Sequence, residues 1–261
     1  MTSRKSTSTI AFLLICLPTL LMAGGQKAPQ RDASAITTVQ NAIAAMGGSG
    51  WSRVTDSVTT GQMTPAQGSP VQPASFVYKT LGGEVRYDTT GDSWTHVFAS
   101  GHGKPAGSQS GNVRALPYHV IFGQSPLYLP ALVLNTALAD SNYSLIDRGT
   151  TQIQGKTAFV VQSSYGVNPP VAAITLHTWY FDASTGLPLR VESRFPDTNN
   201  MGSWTDAATD FSNFSQVGNL VVPLTMNNSE AGISVAVVSV SNVQFNVGLD
   251  PAQFDLLGGG K

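Results

Sequence analysis

Apolar and polar residues alternate with a period of two along most of this chain, the signature of half-buried strands. The cleanest run is Thr178-Trp-Tyr-Phe-Asp-Ala-Ser-Thr-Gly-Leu-Pro-Leu-Arg-Val-Glu-Ser193. Trp179 and Phe181 alternate with Thr178 and Tyr180, and Asp182 to Gly186 supply turn chemistry. Asp can bond the backbone two residues on, and Gly can take a positive φ without strain. The return strand puts Leu187, Leu189 and Val191 on one face and Arg190, Glu192 and Arg194 on the other. This pattern predicts a hairpin of an antiparallel sheet with one apolar and one wetted face.

The same reading predicts strands over 54–64, 74–80, 84–90, 94–99, 143–149, 157–164, 204–214, 220–226 and 233–247, with Trp94, His96 and Phe98 on one face. Two stretches change period. Ile36, Val39, Ile43 and Met46 recur at helical spacing after Asp32 or Ser34 as cap and before Gly47-Gly48, which predicts a leading helix. Residues 118–122 and 127–138 are apolar with few β-branched side chains behind Pro117 and Pro126, which predicts two short helices. Apolar residues surround most of the second, so it should be buried on both sides. Residues 101–111 read as a Gly/Ser-rich loop. The sum is α+β, mainly antiparallel β: about ten strands, an N-terminal helix and a mid-chain helical insert.

The chain's first residues read differently. Arg4 and Lys5 precede an apolar run over 10–22 and the small residues Ala23, Gly24 and Gly25. This is the layout of a secretory signal peptide, too short for a membrane span. The expectation is a signal over 1–25 and one domain over 26–261, exported to the periplasm or the extracellular space, with no transmembrane segment in the mature chain. Cys16, the one cysteine, lies inside that run, so the mature chain has no disulfide. A lipid anchor on Cys16 fits poorly, because bulky Leu14-Ile15 precede it and the run continues past it.

The formal charge is −1, and losing Arg4 and Lys5 makes it two units more negative. That balance argues against nucleic acid, whose binding needs an excess of Lys and Arg. Enzyme motifs are absent or generic. Gly155-Lys156-Thr157 lacks the earlier Gly of a phosphate loop and reads as a strand–turn–strand. No HExxH, G-x-S-x-G or S-x-x-K occurs among His96, His102, His119, His177 and the many Ser residues. His96 and His177 each share an aromatic strand face. Asp206 and Asp210 share a face as glycosidase carboxylates do, a spacing that a solvated strand also produces. No cofactor, metal or catalytic residue is expected, and a secreted hydrolase with a dispersed site is the least favoured reading.

Several phrases carry a family resemblance: Ala44-Ala-Met-Gly-Gly48 leading to Trp51, Trp179-Tyr-Phe-Asp182, Thr185-Gly-Leu-Pro-Leu-Arg190, and Asp210-Phe-Ser-Asn-Phe214 before Val217-Gly218 and Val222-Pro223. With the element order, they resemble the LolA/LolB-like half-barrel of outer-membrane lipoprotein-sorting and lipoprotein-carrier proteins over residues 32–255. The resemblance implies a strongly curved sheet whose concave face is covered by helices and takes up acyl chains. It implies a carrier of lipid, acyl chain or lipoprotein, with Trp94, Phe98, Phe122, Tyr128, Leu132, Trp179 and Phe181 lining the hydrophobic cavity. Arg53, Arg86 and Arg114 are the candidates for the functional Arg of the well-known carriers, and none lies in a matching motif. The alternative is the same fold with a filled core, acting as a structural or protein-interaction module of the envelope.

Overall fold

The computed structural model describes residues 28–117, 128–196 and 203–258. The signal expected over 1–25 and the helix expected over 118–122, with Phe122, lie outside them. Thirteen antiparallel strands form one open sheet: β1 Asp56–Pro65, β2 Ala74–Leu81, β3 Glu84–Thr90, β4 Thr95–Ala99, β5 Ala106–Gln109, β6 Asn112–Ala115, β7 Tyr143–Ile153, β8 Lys156–Tyr165, β9 His177–Asp182, β10 Pro188–Pro196, β11 Trp204–Val217, β12 Leu220–Glu230 and β13 Ile233–Phe245. Their order is 6-5-4-3-2-1-13-12-11-10-9-8-7. Every neighbouring pair is a sequential hairpin except β1 with β13, which form the central seam.

This is the expected half-barrel with more strands than about ten. The additional pair is β5 and β6, within and just after the stretch read as a Gly/Ser-rich loop. Ala106-Gly-Ser-Gln109 carries no large apolar residue to mark a period. Its turn uses Ser110 and Gly111, both at positive φ. Bulges interrupt the ladders at Thr60/Gly61, Asp147/Thr150, Pro188/Arg190 and Asn228/Ser229, and each bends its strand.

Among the described residues three α-helices accompany the sheet: α1 Ala33–Ala45, α2 Pro130–Ala139 and α3 Pro169–Ile174. α1 ends as expected, with Gly47 at φ 119°. Its cap differs from the expectation. The Asp32 carboxylate accepts from the Asp147 backbone N–H at 3.0 Å and from the Gln30 amide at 2.9 Å rather than capping α1. Asp32 N also donates to Leu145 O, and Leu145 N to Gln30 O, both at 2.8 Å. The chain before α1 thereby covers part of the exposed edge of β7.

α2 begins later than the pattern suggested, with Pro130 rather than Pro126 in its first turn. It buries Ala131, Leu134 and Ala137 and half-buries Leu132, Val133 and Leu138. Ala131, Leu134 and Ala137 are thus firmly packed, and the three larger neighbours only partly covered. Because β6 and β7 are opposite edges, the link carrying α2 crosses a face of the sheet. Tyr128 packs over β2 and β3 at one end, and the Arg31 guanidinium ties the other end beside β7. α1 and α2 pack on each other over that same face.

Candidate functional site: the inner face of the sheet

The face beneath the helices is built from two aromatic groups. On β2 and β3, register sets Tyr78 opposite Tyr87 and Phe76 opposite Thr89. Tyr128, just before α2, lies over them, with ring centroids 5.2 Å from Phe76, 5.1 Å from Tyr78 and 5.7 Å from Tyr87. Its hydroxyl is 2.9 Å from that of Tyr87. Phe98 on β4 is opposite Tyr87 and extends the floor. Gly61 makes room for Phe76: a Cβ there would collide with the Ser239 carbonyl and lie 2.7 Å from the Phe76 ring.

The second group centres on Trp179, which is fully buried. Its indole is nearly parallel to Phe181 and Phe211, with centroids 6.3 and 6.4 Å away. The indole N–H donates to the Ser163 hydroxyl at 3.2 Å, so its one polar atom is satisfied. Val161 and Val191 flank Trp179 in register. His177, two residues back on the same face, is buried, and desolvation pulls its pKa down to about 4, opposed by a hydrogen bond with the Thr175 backbone. It is therefore a neutral imidazole at pH 7.

Of the residues expected to line a cavity, Phe98, Trp179 and Phe181 join the apolar core, and Tyr128 and Leu132 pack against it. Trp94 does not. It precedes β4, and its ring covers exposed His96 at 4.7 Å and fills the space beside Gly91. Phe159 is in register with Phe181 yet 43 % exposed. Its neighbour on the other side is exposed Thr150 of edge strand β7, so its ring lies at the sheet margin. Sequence reasoning passed over Phe76, Tyr78 and Phe211. Alternation places the first two opposite β3, and Phe211 stands within the Asp210-Phe-Ser-Asn-Phe214 phrase.

The outer face is charged and internally paired. Arg190 grips Asp210 through two bonds of 2.6 and 2.9 Å, and Arg194 bonds Asp206 at 2.7 Å. The two aspartates that resembled a catalytic pair are thus held by arginines. A groove of about 540 Å³ runs past Thr178, Arg190, Glu192, Arg194, Asp206 and Ser229. Asp182 is held well below the usual carboxylate range, first by the Ser184 hydroxyl and also by Lys156, whose ammonium is 3.0 Å away. Lys156 therefore serves the β9–β10 turn, as a strand–turn–strand reading of Gly155-Lys156-Thr157 requires. Arg86 bonds Asp88 and the Gln253 carbonyl, while Arg53 and Arg114 are exposed.

Among the described residues, no helix is long and apolar enough to cross a membrane. No protein-family model and no curated protein matches the chain. Solved structures do. A Vibrio parahaemolyticus domain provisionally assigned to outer-membrane lipoprotein sorting superposes with a TM-score of 0.56 at 17 % identity, covering 84 % of this chain and 95 % of that one. A DUF1329 family protein of Desulfovibrio piger gives 0.53 at 14 % identity, covering 84 % and 96 %. At these identities the likeness is one of fold.

Proposed function

We propose that this chain, which shares the fold of the Vibrio domain provisionally assigned to lipoprotein sorting, is an exported, non-enzymatic carrier or binding protein for a lipid, an acyl chain or a lipoprotein. The ligand would lie between the curved sheet and helices α1 and α2. Phe98, Phe122, Tyr128, Leu132, Trp179 and Phe181 would contact it. The carrying observation is the set of half-buried apolar residues on α2, Leu132, Val133 and Leu138, packed against the same core that holds the two aromatic groups. Apolar surface removed from water there contributes about 25 cal/mol per Å². Export rests on the basic and apolar layout of residues 4–25.

A titration of delipidated mature protein with a fluorescent fatty acid tests this, alongside native mass spectrometry of protein taken from its own envelope. Leu132→Asp should abolish uptake, while Ile233→Asp, at a side chain already 71 % exposed, should leave it intact. Uptake that survives in folded Leu132→Asp protein would remove α2 from the site. Protein that is empty and takes up nothing would favour the second reading, a filled-core interaction module of the envelope. Exposed Trp204 and Ile233, both near one end of the sheet, support that alternative.

A further inference from the structure

The aromatic floor holds more hydrogen-bond donors than it uses. Tyr78 is 2 % exposed, and its hydroxyl has no partner among the described residues. Tyr87 and Tyr128 hydroxyls bond each other, which uses one of their two protons and leaves the accepting phenol's own proton free. The three rings lie within 5.9 Å of one another, centroid to centroid. Thr59, in register with Tyr78 on β1, is buried with an unpartnered hydroxyl as well. Buried polar groups in folded proteins are nearly always paired, and an unpaired one costs about 1–3 kcal/mol. A cluster of spare donors in an apolar floor therefore points to an acceptor that is supplied from outside.

The surroundings decide what kind of acceptor fits. On β2 and β3 the inner positions are Ala74, Phe76, Tyr78, Thr80, Val85, Tyr87 and Thr89, with no charge among them. The cations of these strands alternate to the outer face, where Lys79 bonds Gln253 and Arg86 bonds Asp88. Burial pushes all three phenols upward in pKa, so they remain neutral donors. A carboxylate would be desolvated here without a countercharge, which is strongly unfavourable. A neutral carbonyl has two lone pairs and no charge, which matches two free O–H groups.

We propose that Tyr78, with the Tyr87–Tyr128 pair, is a polar anchor for the ester carbonyl of an acylated ligand and selects neutral esters over free fatty acids. The anchor rests on the carrier reading above and adds a specificity to it.

The test displaces a neutral fluorescent probe, N-phenylnaphthylamine, from delipidated full-length mature protein with methyl palmitate, palmitate or octadecane at pH 7.5. Wild type should bind methyl palmitate about ten-fold more tightly than either of the others, the worth of one net hydrogen bond. Tyr78→Phe keeps the ring, should fold, and should erase the preference over octadecane. Tyr128→Phe should weaken the preference in part. A preference over octadecane that survives Tyr78→Phe, or a wild type that favours palmitate, overturns the anchor and assigns the spare donors to buried water. A wild type that binds neither probe nor any of the three refutes the carrier reading itself.

Discussion

Arg31 Nη2 donates to the carbonyl of Leu138 at 2.8 Å across 107 residues of sequence. Nη1 of the same guanidinium donates to the carbonyls of Ala137, Asp140 and Tyr143 at 2.9–3.0 Å. The C-terminal carbonyls of a helix lack intrahelical partners and carry partial negative charge, so a planar cation is well matched to them. One side chain from before α1 thus pins the far end of α2 against the sheet. Arg31→Ala should destabilise the fold by about 2 kcal/mol, within the range for hydrogen bonds to a charged group. Arg31→Lys should recover only part of this, since an ammonium lacks the fork. Urea unfolding reads the loss, and hydrogen exchange should show it concentrated in α2.

Gly61 gives a prediction about curvature. It follows the β1 bulge and has the Phe76 ring over it. Gly61→Val should cost roughly 1–3 kcal/mol through overpacking, with displacement of Phe76. Gly68, which has open space around it and a positive φ, should lose less on substitution by Asn, a residue that tolerates that conformation. Thermal melts of the two variants separate a packing role from a turn role.

His177 gives a pH dependence with a definite sign. Its folded pKa is lowered from 6.5 to about 4 by burial. Between those values the unfolded chain binds a proton that the folded chain refuses. The stabilisation is complete above pH 6.5 and falls away as the pH drops towards 4, by on the order of 3 kcal/mol in all. His177→Phe should flatten stability over that window, as measured by denaturant midpoints from pH 4 to 7.5. An unchanged slope would place the titration elsewhere.

The Trp179–Phe211 stack joins β9 to β11 across β10. Phe211→Ala should cost about 3–5 kcal/mol, as deletion of a buried ring commonly does, and Phe211→Leu much less. Near-ultraviolet circular dichroism should lose part of its indole signal in both variants, because the ring that orders Trp179 is gone.

Large alternating side chains made most of this architecture legible. Trp179, Phe181, Leu189 and Val191 gave away their hairpin because each strand pairs a buried row with a polar one. β5 and β6 escaped notice because Ala-Gly-Ser-Gln and Asn-Val-Arg-Ala hold one large apolar residue between them, and their strand character comes from β5 pairing with β4 and β6 with β5 rather than from side chains of their own. Phe159 looked identical to Phe181, since alternation tells which face a residue takes and not whether anything covers it there. The role of Arg31 had no local signal at all: its four acceptors are main-chain carbonyls that any sequence would present. The spare hydroxyl of Tyr78 likewise becomes visible only when three strands and a helix are placed together.

The central seam between β1 and β13 has a consequence for how such a chain is assembled. Five hairpins fan out from β1 on one side and six from β13 on the other, so each half can zip locally while the two remain unjoined. Removing the last strand would not trim the sheet's margin; it would cleave the sheet through its middle into two six-stranded meanders tethered over the inner face by α2. A chain threaded through a membrane with its N-terminus leading would hold its first half with an unpaired β1 edge until the very last strand emerged. That half-finished sheet is the species most open to mispairing, and the one for which a holding chaperone would matter most.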